Sequence, residues 1–291
     1  PVATTSEWIQ GARPRTLPAA IAPVLVGTGI AQHADSFNIV RALLALVVAL
    51  ALQAGVNYSN DYSDGIRGTD SQRVGPVRLV GQGLAQAHQV KRAAFLMFAF
   101  AMVSGLIVVL LTHAWWLLLV GAASVAAAWF YTGGSRPYGY AGFGEFFVFI
   151  FFGIVPVMGT AYVQTLELTV GAFIASVGVG GLACSILITN NLRDIPGDTE
   201  HGKLTLAVRL GDVRTRKLYV ACVAVAFIVP ALLVVPFGPW AALGYLALPY
   251  AVVPINLVLR GARGPALIPV LKATGNVLLV YGVVLGLGLA L

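Results

Sequence analysis

Residues 39–64 read IVRALLALVVALALQAGVNYSNDYSD, an apolar run that passes directly into a short acidic motif. Residues 168–198 repeat this design and read LTVGAFIASVGVGGLACSILITNNLRDIPGD. An apolar run of about 20 residues is long enough to cross a bilayer as a helix. Carboxylates held at a membrane boundary are costly, so they indicate a function. The two stretches predict a helical membrane protein with a pair of related polar sites.

Composition supports this class for the whole chain. The 291 residues are 58% hydrophobic and 10% charged, whereas soluble domains carry about 25% charged residues. We predict an all-α integral membrane protein in which residues 1–291 form a single domain of nine transmembrane helices. The predicted spans are residues 16–33, 39–57, 93–112, 115–131, 145–163, 168–189, 217–235, 239–257 and 269–290.

The basic residues are segregated along the chain. If the nine spans alternate in direction, 17 of the 18 Lys and Arg residues fall on one side, and Arg41 is the exception. The positive-inside rule assigns that side to the cytoplasm. The net charge of +7 then reports topology and does not indicate a nucleic-acid partner. We predict a multi-pass protein of the cell membrane with its polar sites on the cytoplasmic side.

The two acidic motifs indicate an internal repeat. They are separated by 190 − 57 = 133 residues, or four predicted spans. An even number of spans gives both halves the same orientation. We predict two parallel four-helix repeats, roughly residues 13–131 and 140–257, around a central cavity, with residues 269–290 as an added helix. The motifs would then face each other across the cytoplasmic mouth of the cavity.

Both motifs predict a metal site. Each contains Asn-x-x-x-Asp followed by a second Asp three or four residues later, and such positions share one face of a helix. Amide and carboxylate oxygens suit a hard divalent cation, and two such clusters suggest Mg²⁺ ions that hold a diphosphate. The predicted ligands are Asn57, Asn60, Asp61, Asp64, Asn190, Asp194 and Asp198, and the four aspartates are also the predicted catalytic residues.

Loops after the motifs supply the opposite charge. Residues 67–83 and 200–211 mix glycines with basic residues, and the loop at residues 131–140 adds hydroxyl groups and one Arg. Guanidinium and ammonium groups would bind the diphosphate oxygens that the metal does not. The predicted diphosphate contacts are Arg73, Arg78, Arg136, Lys203 and Arg209.

The motifs at residues 60–64, 194–198 and 202–211 resemble those of the UbiA superfamily of intramembrane aromatic prenyltransferases. The resemblance extends over nearly the whole chain. One departure lies in the first motif, which in the superfamily often runs Asn-Asp-x-x-Asp-x-x-x-Asp. Gly68 occupies its last position here, and whether Asp70 takes that place is open.

Within the superfamily, the chain is most similar to the 1,4-dihydroxy-2-naphthoate polyprenyltransferases of menaquinone synthesis, on residues 13–19, 73–78 and 139–153. The resemblance implies nine helices around a lateral cavity and Mg²⁺-dependent transfer of a polyprenyl group from its diphosphate to an aromatic ring. In the naphthoate enzymes the ring carboxylate is lost as carbon dioxide, and the product is demethylmenaquinone. The implied partners are polyprenyl diphosphate, the aromatic acceptor and the lipid bilayer.

Breaking the donor's carbon–oxygen bond would leave an allylic cation, which aromatic faces can stabilise. The candidates for this role or for contact with the acceptor are Tyr58, Tyr62, Tyr131, Tyr138 and Glu145. Interfacial anchoring accounts equally well for each Tyr, and the dipole at a helix N-terminus accounts equally well for Glu145.

Two other functions remain open at the level of sequence. One is a related enzyme with another acceptor, such as 4-hydroxybenzoate, or with phosphoribosyl diphosphate as donor and a polyprenyl phosphate as acceptor. The other is a transporter whose carboxylates bind a cation or a proton. Transport carboxylates tend to lie near the bilayer midplane, whereas these lie beside basic loops at one end of the spans. The depth of the carboxylates in the membrane therefore distinguishes a transporter from the two kinds of enzyme.

Overall fold

The computed structural model describes residues 3–68 and 77–291, and in these ranges it is helical and has no strand. The α-helices are α1 (Thr5–Gly11), α2 (Pro18–His33), α3 (Ile39–Ile66), α4 (Ala87–Thr112), α5 (Leu117–Phe130), α6 (Gly144–Phe149), α7 (Val155–Thr165), α8 (Val170–Glu200), α9 (Leu206–Phe237), α10 (Leu248–Leu259) and α11 (Ile268–Ala290). A π-helical turn, Ile150–Ile154, joins α6 to α7, and a 3-10 helix, Pro239–Ala247, precedes α10.

Seven helical segments in the described part of the chain are long and apolar enough to cross a membrane. They correspond to α3, α4, α6 with α7, α8, α9, the segment ending in α10, and the segment ending in α11. The prediction of an all-α, multi-pass membrane protein is confirmed at this level. Helices α2 and α5 are shorter, at 16 and 14 residues, and the count of nine spans stays a prediction.

Both motif-bearing helices are longer than the sequence predicted. Helix α3 continues past residue 57 to Ile66, and α8 continues past residue 189 to Glu200. The apolar pattern ends earlier because the last turns carry the polar motif. The motifs therefore belong to the C-terminal turns of two continuous helices, whose preceding turns are mainly apolar.

Contacts between helix ends show that α3 runs antiparallel to α4 and α7 and parallel to α5. Arg41, at the start of α3, donates to the carbonyl oxygens of Leu111 at the end of α4 and Val163 near the end of α7, both at 3.1 Å. At the other end of the bundle, Arg67 donates to the carbonyl oxygens of Thr132 and Gly134, which follow α5.

Small residues bring α2 and α11 close together. A Cβ atom at Gly29 would lie 2.1 Å from the carbonyl oxygen of Gly286, and one at Gly282 would lie 2.6 Å from the Cβ of Ala22. Small side chains at such crossings allow close backbone approach in membrane helices. The C-terminal helix is thereby held tightly against the first long helix.

The π-helical turn Ile150–Ile154 changes the course of the chain between α6 and α7. Pro156 has no N–H, so it cannot complete the regular hydrogen-bond ladder here. The N–H of Val155 bonds instead to the carbonyl of Ile150, five residues earlier. Such turns occur frequently at functional sites, and this one carries Phe151 and Phe152, which line the internal cavity.

Candidate active site

A cavity of about 1100 Å³ lies inside the bundle. Its deeper walls are mainly apolar and include Val109, Leu117 and Val163. Several polar residues from each motif line its other end, which we call the polar mouth. The cavity therefore offers charged groups at one end and hydrocarbon surface along the rest. The residues of the polar mouth used below are Asn60, Asp64, Arg78, Tyr140, Asn190, Arg193, Asp198 and Lys203.

The first motif contributes Asn60 and Asp64 to the mouth. Asp64 is buried, accepts a hydrogen bond from the hydroxyl of Tyr140 and lies 3.6 Å from Nζ of Lys203. The amide oxygen of Asn60 accepts from the hydroxyl of Thr132 at 2.8 Å. An amide and a carboxylate from one helix face are thus presented to the cavity.

Asn57 also lines the cavity, but its amide nitrogen is committed to the N-terminal segment. It donates to the carbonyl of Ala12 and to the hydroxyl of Thr16, both at 2.9 Å. The same hydroxyl accepts from Nε2 of Gln53 at 2.8 Å. This part of the predicted metal site therefore fixes the segment before α2.

Asp61 does not line the cavity, contrary to the expectation that it faces a metal there. Its buried carboxylate accepts from the backbone N–H groups of Leu79 at 2.7 Å and Val80 at 3.1 Å. Successive helical residues point about 100° apart, so Asn60 and Asp61 cannot face the same way. The loop after α3 binds to the side of the helix from which Asp61 projects.

The second motif contributes Asn190, Asn191, Arg193 and Asp198 to the cavity lining. Asp198 is buried. Asp194 lies outside the lining and forms a bidentate pair with Arg193, with distances of 2.7 and 2.8 Å. The expectation that Asp194 faces the cavity directly is therefore not met, since its neighbour Arg193 takes that place.

The donor set of the mouth fits Mg²⁺ when the ion is shared with a phosphate ligand. Asn60, Asp64, Asn190 and Asp198 supply two amides and two carboxylates from two helices. Within the described residues, no three His, Cys, Asp or Glu side chains form a self-sufficient metal cluster. Magnesium commonly binds through one or two carboxylates and completes its shell with water and substrate phosphate. The set suits such joint binding.

Two of the predicted diphosphate contacts lie at the mouth. Arg78 and Lys203 are buried and line the cavity. The backbone N–H of Lys203 donates to the carbonyl of Asp198 at 2.8 Å, so the loop that carries this ammonium is fixed to the second motif. Arg73 and Asp70 lie outside the described residues.

The other two predicted contacts lie away from the cavity. Arg136 and Arg209 are exposed and do not line it. Arg209 instead donates to the carbonyl oxygens of Leu204 and Ala141, both at 3.1 Å. Its position corrects the expectation of direct phosphate contact, because both carbonyls belong to loops that it holds together beside the mouth.

Tyr131 and Tyr138 line the cavity and form an edge-on pair with ring centroids 5.5 Å apart. Tyr138 also stacks on Phe147 at 4.0 Å and donates its hydroxyl to the carbonyl of Ala127 at 2.7 Å. Burial raises the pKa of the Tyr138 phenol above its ordinary value. The pair is therefore an aromatic surface next to the mouth.

Tyr58 and Tyr62 do not line the cavity, which corrects the expectation that they face the reacting carbon. The hydroxyl of Tyr58 donates to the carbonyl of Trp8 at 2.8 Å, and Tyr62 stacks on Trp129 at 6.1 Å beside Nζ of Lys91. Both rings pack on the side of α3 opposite the cavity-lining stripe. Their contacts are those of packing and interfacial anchoring.

Glu145 is buried behind the cavity wall. Its Oε1 accepts from Nδ2 of Asn191 at 2.9 Å, and its Oε2 has no hydrogen-bond partner among the described residues. Because Asn191 lines the cavity and Glu145 does not, Glu145 would act on a bound molecule through this amide.

Comparison with known proteins places this geometry in a family. Residues 20–289 match the UbiA prenyltransferase family. The chain belongs to this family. It is 52% identical to the 1,4-dihydroxy-2-naphthoate octaprenyltransferase of Mycobacterium tuberculosis, over 99% of this chain and 98% of that one. It is 37% identical to the protein of the same name from Escherichia coli, over 98% and 97% of the two chains.

Solved structures of UbiA proteins share the fold. A UbiA homolog from Archaeoglobus fulgidus bound to DMAPP and Mg²⁺ superimposes with a TM-score of 0.69 at 15% identity, over 96% of this chain and 99% of that one. Digeranylgeranylglyceryl phosphate synthase superimposes with a TM-score of 0.65 at 17% identity, over 97% and 98%. The predicted membership of the UbiA superfamily is confirmed.

Sequence reasoning missed several residues at the mouth of this UbiA protein. Tyr140, Arg193 and Asn191 line the cavity but were not predicted as site residues. Arg193 and Asn191 stand inside the second motif but outside the Asn-x-x-x-Asp spacing on which the prediction was based. Tyr140 stands in the hydroxyl-rich loop at residues 131–140, whose composition was the available signal.

Proposed function

We propose that this UbiA-family protein transfers a polyprenyl group from polyprenyl diphosphate to 1,4-dihydroxy-2-naphthoate. Carbon dioxide and diphosphate are released, and the product is the prenylated dihydroxynaphthalene, demethylmenaquinol, whose oxidation to demethylmenaquinone is a separate step. The observation that carries this proposal is the 52% identity, over nearly the full length of both chains, to a 1,4-dihydroxy-2-naphthoate octaprenyltransferase. The cavity supports it, because a charged mouth and an apolar interior match the two ends of a prenyl diphosphate.

The diphosphate would bind at the polar mouth. Arg78 and Lys203 would contact its oxygens, and charge-assisted hydrogen bonds of this kind are strong. Mg²⁺ would be held by the two amides and two carboxylates of the mouth, namely Asn60, Asp64, Asn190 and Asp198. When bound, Mg²⁺ supplies Lewis-acid stabilisation of the departing diphosphate.

The prenyl chain would extend from the mouth into the apolar part of the cavity. Phe147, Phe151 and Phe152 line this part and exclude water from the reacting carbon. Tyr131 and Tyr138 stand where the chain would leave the mouth, and their ring faces would stabilise positive charge on the allylic carbon. The bond to the diphosphate oxygen breaks, and its electron pair leaves with the diphosphate.

The acceptor ring would then attack the allylic carbon. A carbon–carbon bond forms, and the ring regains aromaticity by losing its carboxylate as carbon dioxide. Asn191, fixed by Glu145, offers an amide to the acceptor at the cavity wall.

A second part of the proposal concerns the membrane. We propose that α2 and α5 also cross the bilayer, giving nine spans, and that α2 to α5 and α6 to α10 are parallel repeats followed by α11. The packing of α3 on α4 and of α8 on α9 supports equivalent helix pairs in the two halves. The mouth lies at the end where the predicted cytoplasmic basic residues gather, and the cell membrane is the proposed location.

The transporter reading has weaker support. Asp64 and Asp198 stand in the last turn of α3 and α8, respectively, beside Lys203 and at one end of the bundle. Intramembrane transport sites lie near the midplane. The positions of these two carboxylates therefore favour chemistry on a charged group at the membrane surface.

An assay of the purified protein in lipid nanodiscs would test the proposal. Polyprenyl diphosphate is supplied with 1,4-dihydroxy-2-naphthoate or 4-hydroxybenzoate, with and without Mg²⁺, and prenylated product is measured by mass spectrometry. Carboxyl-labelled naphthoate should release labelled carbon dioxide in step with product. Prenylation of 4-hydroxybenzoate alone would overturn the assignment of the acceptor. Activity only with phosphoribosyl diphosphate would overturn the assignment of the donor.

A further inference from the structure

Tyr140 contacts both halves of the polar mouth. It lies in the 3-10 turn Tyr138–Ala141 between α5 and α6. Its hydroxyl donates to Oδ1 of Asp64. Nζ of Lys203 lies 4.3 Å from the centroid of the Tyr140 ring and 3.6 Å from the same carboxylate oxygen. One side chain therefore touches the carboxylate of the first motif and the ammonium that follows the second.

The backbone around Tyr140 is attached to the same loop as Lys203. The carbonyl of Tyr140 accepts from the N–H of Leu204 at 2.9 Å, and the N–H of Lys203 donates to the carbonyl of Asp198 at 2.8 Å. These bonds complete a continuous path from Asp64 through Tyr140 and Lys203 to Asp198. The path crosses the mouth from one motif to the other.

Two flanking glycines allow this turn to form. A Cβ atom at Gly139 would lie 2.6 Å from the carbonyl oxygen of Tyr131. Gly142 has a φ of +86° and stands against the side chain of Arg209, whose Nε would lie 3.0 Å from a Cβ there. Positive φ favours glycine, so the local sequence is suited to holding Tyr140 in this position.

A role for Tyr140 in stabilising the allylic cation is disfavoured by its surroundings. Its ring already has two cations near it, Nζ of Lys203 at 4.3 Å and the guanidinium carbon of Arg67 at 5.4 Å. A third positive charge at this ring would be repelled by both. Tyr131 and Tyr138 are better placed for that role.

We propose that Tyr140 is a positioning residue that joins the two halves of the diphosphate site. Its hydroxyl orients the carboxylate of Asp64, and its ring holds the ammonium of Lys203 beside that carboxylate. The inference rests on the proposed function, since it takes the ligand to be a prenyl diphosphate bound with Mg²⁺. Loss of the hydroxyl should weaken Mg²⁺-dependent binding of the donor and leave the chemical step largely intact.

Tyr140→Phe tests this directly, because it removes only the hydroxyl. Binding of a non-reactive thio-analogue of a prenyl diphosphate is measured by fluorescence or calorimetry across a Mg²⁺ titration. The Mg²⁺ concentration at half-maximal binding should rise about tenfold, the order expected for one hydrogen bond to a charged group. The donor KM should rise similarly, whereas kcat at saturating Mg²⁺ and donor should change little. Tyr140→Leu also removes the ring and should weaken donor binding further.

Tyr281→Phe is the matched control. Its hydroxyl donates to the carbonyl of Ala226 at 2.8 Å in the buried core, and Tyr281 does not line the cavity. This variant should lose thermal stability without a shift in the Mg²⁺ titration. A wild-type titration curve for Tyr140→Phe would overturn the inference, as would equal shifts in the two variants.

The binding assay contains no acceptor, so its outcome is independent of the acceptor's identity. Failure to prenylate 1,4-dihydroxy-2-naphthoate would overturn the proposed function and leave the role of Tyr140 standing if the titration shifts. An active wild-type enzyme with an unshifted Tyr140→Phe titration would leave the proposed function standing and overturn the role of Tyr140. Wild-type protein that binds no prenyl diphosphate analogue with Mg²⁺ would overturn both.

Discussion

The carboxylate of Asp61 accepts a hydrogen bond from the backbone N–H of Leu79 at 2.7 Å. Its other oxygen accepts from the N–H of Val80, and Arg78, the residue before Leu79, lines the polar mouth. Asp61 thereby fixes the loop that brings Arg78 to the cavity, although its own side chain does not reach it. The two aspartates of the first motif have different tasks, since Asp64 faces the mouth.

This division predicts different outcomes for two matched substitutions. Asp64→Asn should lower kcat by at least about 100-fold, the scale seen when one electrostatic contact to a transition state is removed. Asp61→Asn should cost about 1–3 kcal/mol of stability, because an amide cannot accept from both backbone N–H groups, and it should raise the donor KM through Arg78. Steady-state kinetics and thermal unfolding in detergent separate the two. Equal losses of kcat with unchanged stability would contradict the division.

Asp198 should be the second essential carboxylate of the mouth. We expect Asp198→Ala to lower turnover by about 100-fold or more, because the diphosphate would lose part of its metal-mediated charge compensation. Excess Mg²⁺ should recover a fraction of the activity. Glu167→Gln, which removes an exposed carboxylate at the far end of the bundle, is the control and should keep wild-type kinetics. Full activity of Asp198→Ala at low Mg²⁺ would remove this residue from the site.

Arg78 and Lys203 should govern donor affinity. Arg78→Gln and Lys203→Gln should each raise the donor KM by about tenfold or more, since hydrogen bonds to charged groups contribute about 1.5–3 kcal/mol. The acceptor KM should change much less. Arg214→Gln removes an exposed cation outside the cavity lining and serves as the control. An unchanged donor KM for Arg78→Gln would return that residue to a purely topological role.

The contact between α2 and α11 should be sensitive to single methyl groups. Gly29→Ala places a Cβ 2.1 Å from the carbonyl oxygen of Gly286, and overpacking of this kind typically costs about 1–3 kcal/mol. The midpoint of thermal unfolding in detergent should fall. Gly121→Ala, where a Cβ would meet nothing within 4 Å, should not lower it. Equal midpoints for the two variants would contradict the close crossing.

Cysteine labelling should establish the orientation. In a background of Cys184→Ala and Cys222→Ala, Arg136→Cys should be protected from an impermeant reagent in intact cells, because the mouth end is expected to be cytoplasmic. Glu167→Cys, between α7 and α8, should react. The opposite labelling pattern would place the mouth on the outer side and exclude an acceptor delivered from the cytosol.

Much of this fold follows from the distribution of apolar residues, and part of the site follows from the motifs. Apolar runs predicted the long helices. The predicted ends of α3 and α8 came too early, because the polar motifs form the last turns of both helices. Helical spacing placed Asn60 and Asp64 on one face correctly. It could not show that Asp61 binds the loop at Leu79 or that Asp194 pairs with Arg193, because both depend on partners that folding brings together. The position of Tyr140 at the mouth likewise depends on Asp64 and Lys203, which are distant from it in sequence.

The position of Arg41 bears on whether ions can pass through the protein. A cavity of about 1100 Å³ inside a membrane protein could let ions leak across the bilayer if it were open at both ends. Arg41 ties α3 to the carbonyls of Leu111 and Val163, and Gln164 accepts from the backbone of Asn38 at 3.1 Å. These contacts join the helix ends opposite the mouth and place a fixed positive charge there, which repels protons and metal cations. We expect this charge to oppose ion leakage through the end of the bundle opposite the mouth, while a charged substrate enters at the mouth.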